Sequence, residues 1–284
     1  MLRQRIITAL VLLAILLPAT FYPSALPFGL VTLVLLACGA WEWARLNGFS
    51  FRAALRSGAV CALLCSAAWY LGLPTARLSL FWTVMGGFWV LAGAWTLRSG
   101  AQAGQALPKT LRLAAGVVLL WAAWLAVIQA RFIGINFMLS ILVLVWAADI
   151  GAYFSGRALG GKLFANKLAP SISPGKTWEG VLGGMGAVLL VALLWIVADR
   201  QLAVAPSSIY SRLLAMGVPV FVLGLAFLSA MSVVGDLVES LFKRAAGVKD
   251  SSNLLPGHGG VLDRVDALLP TLPLAMMLIS GGSL

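Results

Sequence analysis

The sequence predicts an all-α, polytopic integral membrane protein with about nine transmembrane helices and a cytoplasmic N-terminus. Its mean hydropathy is +1.00, and only 10% of its 284 residues are charged, whereas a soluble domain carries roughly 25% charged residues. Apolar runs of about twenty residues recur along the whole chain, and that helical length spans a hydrocarbon core about 30 Å thick. The runs do not alternate polar and apolar residues, so a membrane β-barrel is not expected.

Prolines and short polar stretches divide these runs into nine predicted spans. They are approximately 5–22, 26–46, 57–73, 78–97, 112–130, 133–154, 178–198, 213–234 and 262–281. The first span resembles a secretory signal peptide, because Arg3 and Arg5 precede its apolar core; with so many spans following, we expect an uncleaved helix instead. The seventh carries a run of glycines that would let it approach a neighbouring helix closely: Gly180, Gly183, Gly184 and Gly186.

The distribution of basic residues predicts the orientation. Of the twenty Lys and Arg residues, all but Arg77, Arg131, Arg200 and Arg212 fall on one side of the membrane in this arrangement. Because basic residues are retained in the cytoplasm, the N-terminus and the polar loops 155–177 and 241–261 are predicted to be cytoplasmic, and the C-terminus external. The net charge of +11 is scattered over short segments, so we expect contacts with anionic lipid or substrate phosphates and not with nucleic acid.

The three cysteines do not indicate a disulfide or a metal site. Cys38, Cys61 and Cys65 all lie inside apolar runs, and an odd number without a nearby His favours neither a disulfide framework nor a zinc site. We expect them to be small buried hydrophobic residues.

Acidic residues are concentrated around the two polar loops. All nine except Glu42 and Asp199 lie there: Asp149 and Glu179 flank 155–177, and Asp236, Glu239, Asp250, Asp263 and Asp266 flank or fill 241–261. Carboxylates at the ends of spans are costly and require partners. Helix N-caps and ion pairs with neighbouring Lys and Arg are one explanation for them.

A metal site is the other explanation. In a helix, Asp236, Glu239, Ser240 and Lys243 share one face, and Asp263 and Asp266 share the first turn of the last span. Two carboxylate pairs that converge would repel each other unless a cation lay between them. Oxygen ligands without a thiolate favour a hard cation, most simply Mg²⁺.

Groups suited to phosphate binding lie beside the carboxylates. The later loop has Lys243, Arg244, Lys249 and Arg264, and a glycine-rich segment, Pro256–Gly260, whose N–H groups can approach an oxyanion just before a helix. The earlier loop contains SISPGKTWEG (Ser171–Gly180), with Ser173, Lys176 and Thr177. Its GKT tripeptide is not a nucleotide P-loop, because the first glycine of that motif would fall at Pro170. A lone His258 is more typical of a hydrogen-bonding residue than of a base.

The segment SLFKRAAGVKDSSNLLPGHGGVLDRVD (Ser240–Asp266) resembles the signature of bacterial phosphatidate cytidylyltransferases. ADIGAYFSGRALGGKLFANKLAPSISPGKTWEG (Ala148–Gly180) resembles the other well-marked loop of that family. The resemblance implies N-terminal transmembrane helices without site motifs (1–130) and a C-terminal transmembrane catalytic region (131–284) in the bacterial inner membrane.

The resemblance also implies an activity: CTP and phosphatidate give CDP-diacylglycerol and pyrophosphate, with Mg²⁺ as cofactor, a second cation left open, and a homodimer as the assembly. The implied metal ligands are Asp236, Asp263 and Asp266, with Glu239 less certain. Phosphate clamping and charge neutralisation are assigned to Lys243, Arg244, Lys249 and Arg264, and phosphate contact to His258. Substrate-binding candidates are Ser173, Lys176, Thr177 and Ser240, with Lys249 again among them; the roles of Asp149 and Glu179 stay open.

Two alternatives remain. One is a related enzyme that uses CTP on another lipid phosphate. The other is a transporter for an anionic solute, which is disfavoured because transporters place their charges near the midplane in two related halves, whereas here the charges cluster at one face of the C-terminal half.

Overall fold

The computed structural model describes residues 2–100 and 107–281, and within these ranges it contains α-helices, a 3-10 turn at Leu73–Thr75 and no β-strand. The helices are α1 (Leu2–Phe21), α2 (Leu26–Leu46), α3 (Phe51–Tyr70), α4 (Ser79–Ser99), α5 (Lys109–Ile133), α6 (Ile135–Leu159), α7 (Trp178–Gln201), α8 (Ile209–Ala215), α9 (Val218–Ala245), α10 (Leu262–Val265) and α11 (Leu268–Ser280). The predicted all-α class is confirmed. The predicted ranges 1–130 and 131–284 include residues 1, 101–106 and 282–284, which lie outside this description.

Eight helices of the described chain, α1 to α7 and α9, are long and apolar enough to cross a membrane. The predicted spans up to 178–198 correspond to α1 to α7. The predicted span 213–234 begins too early, because α8 ends at Ala215 and α9 starts only at Val218. The multi-pass class is therefore confirmed, while the count of nine is not.

The last predicted span, 262–281, is interrupted. It forms the four-residue helix α10 and the 13-residue helix α11, separated at Asp266 and Ala267. Pro270 explains the break, since it has no N–H to donate to the Asp266 carbonyl four residues earlier and its ring crowds that carbonyl. Asp263 and Asp266 therefore do not belong to the first turn of one long helix.

The described chain groups into two compact units. The first comprises Met1–Arg77, Trp95–Phe132 and Val238–Asp266, and the second comprises Leu78–Ala94, Ile133–Leu237 and Ala267–Leu284. The first unit thus holds the signature segment together with the N-terminal helices. The predicted division at residue 130 concerns where the motifs lie, and it stays a prediction.

Indole and guanidinium groups fix the helices of the first unit. Trp43 Nε1 donates to the Arg112 carbonyl at 2.9 Å, and Trp124 Nε1 donates to the Gly29 carbonyl at 3.1 Å. Buried Arg131 donates to two carbonyls at the end of α1, those of Thr20 and Tyr22. The cysteines are free, and Cys61 and Cys65 are buried as expected.

Small residues bring α6 and α7 close together in the second unit. A Cβ on Gly184 would lie 2.6 Å from the Ala148 carbonyl oxygen, and one on Gly183 would lie 2.0 Å from Ser155 Oγ. A Cβ on Gly180 would lie 3.0 Å from the Ala152 carbonyl oxygen, whereas one on Gly186 would meet nothing within 4 Å. The predicted close approach is confirmed at three of the four glycines.

Candidate active site

The signature segment builds a cluster of charged side chains in the first unit. Glu239 and Lys243 lie one helical turn apart near the end of α9, and Asp263 lies in α10. Lys243 Nζ pairs with Glu239 Oε2 and lies 2.5 Å from Asp263 Oδ1. The Lys243 side chain is 12% exposed and the two carboxylates are each 5% exposed, so one ammonium group is shared by two buried carboxylates.

The other oxygen of Asp263 is held by the preceding loop. Asp263 Oδ2 accepts hydrogen bonds from Ser251 N, Ser251 Oγ and Gly260 N, each at 2.8 Å. Burial by itself would raise the pKa of the Asp263 carboxyl, but the hydrogen bonds from Lys243 and from these backbone N–H groups outweigh it and lower the pKa below its usual value. Asp263 is therefore a fixed, ionised carboxylate.

Glu42 of α2 is part of the same cluster. Its carboxylate is fully buried. Oε1 accepts from Ser252 Oγ at 2.5 Å and Val261 N at 2.9 Å, while Oε2 accepts from Leu262 N at 2.7 Å and Ser251 Oγ at 3.2 Å. Sequence reasoning set Glu42 aside, although a carboxylate inside a predicted span requires a partner, and that signal would have found it.

The consecutive glycines of the signature are explained by these carboxylates. A Cβ on Gly260 would lie 2.0 Å from Ser251 Oγ and 2.4 Å from Glu42 Oε1. Gly259 has a φ of +82°, and a Cβ there would lie 2.8 Å from Asp263 Oδ2. The sequence predicts that N–H groups of this segment approach an oxyanion; in the structure the oxyanions at Gly260 N, Val261 N and Leu262 N are Asp263 and Glu42.

Helix α1 holds the tip of the glycine-rich loop. Arg5 Nε donates to the Gly257 carbonyl at 2.9 Å, and Thr8 Oγ1 donates to the Pro256 carbonyl at 2.8 Å. Within the loop, Arg264 donates from Nε and Nη2 to the His258 carbonyl at 3.0 and 2.7 Å. His258 Nδ1 is buried without a hydrogen-bond partner, so this histidine retains bonding capacity.

A second cluster lies in the second unit. Lys176 Nζ lies 2.6 Å from Asp236 Oδ2, and both side chains are partly exposed, at 22% and 34%. Asp149 of α6 interacts electrostatically with both. The structure therefore joins the Ala148–Gly180 motif to Asp236 of α9 through one cation and two carboxylates.

Two further motif residues have structural partners in the second unit. Thr177 caps α7, since its Oγ1 accepts from Gly180 N at 3.0 Å. Glu179 Oε1 accepts from the N–H groups of Gly161, Leu163 and Phe164, each at 3.0 Å, while its buried Oε2 has no hydrogen-bond partner. Glu179 thus fixes the start of the 155–177 loop.

The remaining candidate residues are either exposed or partly buried. Arg244, Lys249, Asp250 and Arg264 are exposed, whereas Ser173, Ser240, His258 and Asp266 are partly buried. Asp266 is close enough to Glu239 for their like charges to interact. The first unit therefore brings together Glu239, Lys243 and Asp263 among the predicted site residues, and the second brings together Lys176 and Asp236.

The fit of a divalent cation can be judged from the donors. The described residues contain no group of three or more His, Cys, Asp or Glu side chains arranged to hold a metal ion. In the first unit, the cation between the carboxylates is the ammonium group of Lys243. Glu239 Oε1 is buried without a hydrogen-bond partner, and the atoms available as metal ligands are carboxylate oxygens. This donor chemistry fits Mg²⁺, provided that Lys243 gives up part of its contact.

Comparisons with known proteins agree with the sequence pattern. A family model described as "Cytidylyltransferase family" matches residues 3–281. A Pseudomonas aeruginosa protein named phosphatidate cytidylyltransferase is 40% identical over 286 residues, which cover 99% of this chain and 98% of the relative. Proteins of the same name from Haemophilus influenzae and Bacillus subtilis are 48% and 40% identical over 140 and 148 residues. These two matches cover 49% and 52% of this chain, and 44% and 48% of the relatives.

Proposed function

The chain belongs to the cytidylyltransferase family, and from this premise we propose that it transfers the cytidylyl group of CTP to phosphatidate, giving CDP-diacylglycerol and pyrophosphate. The observation that carries the proposal is the similarity to the Pseudomonas protein along 99% of the chain. The buried ion-pair cluster gives the signature segment a charged centre suited to phosphate chemistry.

The reaction needs charge neutralisation more than a base. A phosphate oxygen of phosphatidate attacks the α-phosphorus of CTP and forms a P–O–P bond, while the bond from that phosphorus to the β-phosphate oxygen breaks. Pyrophosphate leaves with the electron pair. A phosphate monoester has a second pKa of about 6, so the nucleophile is already largely anionic at neutral pH. The protein must hold two anions together and stabilise the leaving group.

Cationic side chains of the signature are suited to this task. Lys243 is held by two carboxylates, which fix its ammonium group in place. Arg244 and Lys249 are exposed, on the surface that phosphate oxygens arriving from water would meet. Arg264 stabilises the loop through the His258 carbonyl, and its remaining N–H groups and the His258 ring are candidates for contact with phosphate or pyrophosphate.

The second cluster supplies another cation. Asp236 orients Lys176, and Ser173 and Thr177 lie in the same loop motif. We assign this motif to binding of CTP or of the lipid head group. The Thr177 hydroxyl oxygen serves as the cap of α7, so a substrate contact from Thr177 would use its hydroxyl hydrogen.

We also propose that the reaction depends on Mg²⁺. Asp263 and Glu239 would hold the ion in the first unit once Lys243 moves away, and Asp266 would have to move towards them to serve as a third ligand. Asp236 is the candidate ligand in the second unit, and a second cation stays open. When bound, a divalent cation neutralises phosphate charge and orients the leaving group. The carboxylate positions themselves are set by Lys243, Ser251 and the loop N–H groups.

The basic residues support an orientation. We propose a multi-pass protein of the bacterial inner membrane whose loops 155–177 and 241–261 face the cytoplasm, where CTP arrives from water while the lipid tails stay in the bilayer. We further propose a homodimer, on the resemblance alone. Cysteine labelling from outside intact cells, at positions 161 and 247, tests the orientation, because labelling at either position would contradict it.

An assay of the purified protein tests the activity. Cytidine-labelled CTP with phosphatidate is expected to give labelled CDP-diacylglycerol and one equivalent of pyrophosphate. Parallel reactions with other lipid phosphates test the related-enzyme alternative. Absence of any CDP-lipid across phosphatidate chain lengths, or anion flux into proteoliposomes without turnover, would overturn the proposal.

A further inference from the structure

Glu42 lies far in sequence from every motif, yet it contacts both ends of the segment 251–262, which is part of the signature. Two of its hydrogen-bond donors, the hydroxyls of Ser251 and Ser252, open the segment 251–262, and the other two, Val261 N and Leu262 N, close it. A single carboxylate therefore fixes the two ends of this segment against α2. Nearby, the Leu262 side chain packs on the same helix at Gly39, where a Cβ would lie 3.4 Å from Leu262 Cδ2.

Ser251 links Glu42 to Asp263. Its hydroxyl lies 3.2 Å from Glu42 Oε2 and 2.8 Å from Asp263 Oδ2. A hydroxyl has one proton to donate, so the two carboxylates compete for it. The shorter distance favours Asp263, while Glu42 holds the surrounding backbone.

Adjacent backbone N–H groups connect the same two carboxylates. Gly260 N donates to Asp263, and the next two N–H groups, of Val261 and Leu262, donate to Glu42. A shift of this backbone away from Glu42 would move the Gly260 donor and with it the Asp263 carboxylate that holds Lys243. The geometry of the Lys243–Asp263 pair thus depends on a residue that contacts neither.

We propose that Glu42 is a positioning residue for the reaction, which acts through Ser252 and the 260–262 backbone to set the Asp263 carboxylate and its partner Lys243. The kinetic part of this inference rests on the proposed function. Its structural part, the fixing of the 251–262 segment by Glu42, does not.

Glu42→Gln is the direct test. In either orientation, its amide NH₂ group faces the N–H of Val261 or of Leu262, so one backbone donor loses its acceptor. Misplacement of reacting groups by about 1 Å costs roughly 100-fold in rate. We therefore expect kcat per folded molecule to fall by about that factor, with KM for CTP and phosphatidate within threefold of wild type.

Asp199→Asn provides a matched control. Asp199 is also a buried carboxylate with four donors, because it accepts from Ser208 N, Ser208 Oγ, Ser211 Oγ and Asn136 Nδ2 in the second unit. Its replacement is expected to lower the unfolding temperature while kcat per folded molecule stays within twofold. A purely structural role for Glu42 would give the same result in Glu42→Gln, and that outcome would overturn the inference.

Limited trypsin cleavage after exposed Lys249 gives a readout that does not require activity. Glu42→Gln is expected to speed cleavage there several-fold relative to cleavage after Arg157, whereas Asp199→Asn is not. If wild type makes no CDP-lipid, the proposed function fails and this cleavage ratio still decides the structural part. An unchanged ratio overturns it.

Ser252→Ala covers the case in which Glu42→Gln does not fold. It removes the 2.5 Å bond to Glu42 Oε1 and the local 3.0 Å bond that Ser252 Oγ accepts from Leu254 N, and leaves the other donors of Glu42 in place. We expect a smaller fall in kcat and a smaller rise in the cleavage ratio than for Glu42→Gln. Values equal to wild type for both measurements would contradict the inference.

Discussion

The ammonium nitrogen of Lys243 lies 2.5 Å from Oδ1 of Asp263, and their side chains are only 12% and 5% exposed. This pair joins the end of α9 to α10, and Glu239 completes it from the preceding turn of α9. Loss of Lys243 would leave two buried carboxylates uncompensated, whereas loss of Asp263 would leave the ammonium group paired with Glu239 alone.

Replacing Lys243 with Met is expected to lower both stability and turnover. Glu239 and Asp263 would then face each other without a cation, and breaking a buried pair in this way costs roughly 3–5 kcal/mol of unfolding free energy. Thermal unfolding in detergent and CDP-lipid formation measure the two effects. The control Lys109→Met removes an exposed ammonium group 5.2 Å from the Phe49 ring centroid at the start of α5, so it should leave turnover unchanged and cost at most about 1 kcal/mol. An active, stable Lys243→Met protein would contradict the assigned role.

Asp263→Asn is expected to abolish turnover while the protein still folds. The amide can keep its oxygen toward Ser251 N and Gly260 N, but its NH₂ group then faces Lys243 and removes the charge that fixes the ammonium group. A loss of at least about 100-fold in kcat is expected for a lost electrostatic contact of this kind. Near-normal turnover, measured with size-exclusion chromatography as a folding check, would contradict both the pairing and the metal-ligand proposals.

Two variants of Thr177 distinguish a helix-capping role of this side chain from a contact with substrate. Thr177→Ala should lower the unfolding free energy by about 1 kcal/mol, because Gly180 N loses its acceptor. Thr177→Asn restores a capping side chain and should recover that stability. If Thr177 also contacts substrate, the Asn variant will be stable with an increased KM; if it only caps the helix, KM will equal that of wild type.

Two glycines on α7 give a matched pair for helix packing. Gly184→Ala drives a methyl group to 2.6 Å from the Ala148 carbonyl oxygen and should destabilise the protein by about 1–3 kcal/mol. Gly186→Ala meets nothing within 4 Å, and since Ala favours helices, it should be neutral or stabilising by up to about 1 kcal/mol. Equal unfolding temperatures for the two variants would contradict the close α6–α7 contact.

Chelation tests the metal proposal. EDTA is expected to stop CDP-lipid formation, and added Mg²⁺ to restore it. The fold should survive, because Lys243 compensates Glu239 and Asp263 without a metal ion. Unchanged turnover in EDTA would refute the Mg²⁺ dependence, while a large fall in the unfolding temperature would show that the ion also has a structural role.

The sequence predicted the membrane class and most spans because hydropathy over about twenty residues depends little on tertiary contacts. It did not predict the break at Asp266. Pro270 carried the necessary information, but the apolar run that begins at Ala267 continues past this proline and hid the break. The early start assigned to the eighth span has a similar cause, since the last residues of α8, Leu213–Ala215, are apolar like α9, and only Met216 and Gly217 separate the two helices.

Sequence spacing singled out the charged residues of the candidate site, yet it did not identify their partners. Spacing along a helix placed Glu239 and Lys243 on one face, and the structure confirms that placement. Glu42 was missed because its four donors lie more than 200 residues away, and one sequence does not encode such a pairing locally. Because the contact with Glu42 was not predicted, the N–H groups around Gly260 were interpreted as groups that bind a substrate phosphate.

The bonds from Arg5 and Thr8 to the glycine-rich loop have a consequence for biosynthesis. Arg5 and Gly257 are 252 residues apart, and Thr8 and Pro256 are 248 apart. A ribosome completes the first partner of each pair long before it makes the second, so neither bond can form until most of the chain has been synthesised. Docking of the glycine-rich loop on α1 is thus tied to the end of translation, and a nascent chain released early would carry the first helix without the loop that it holds.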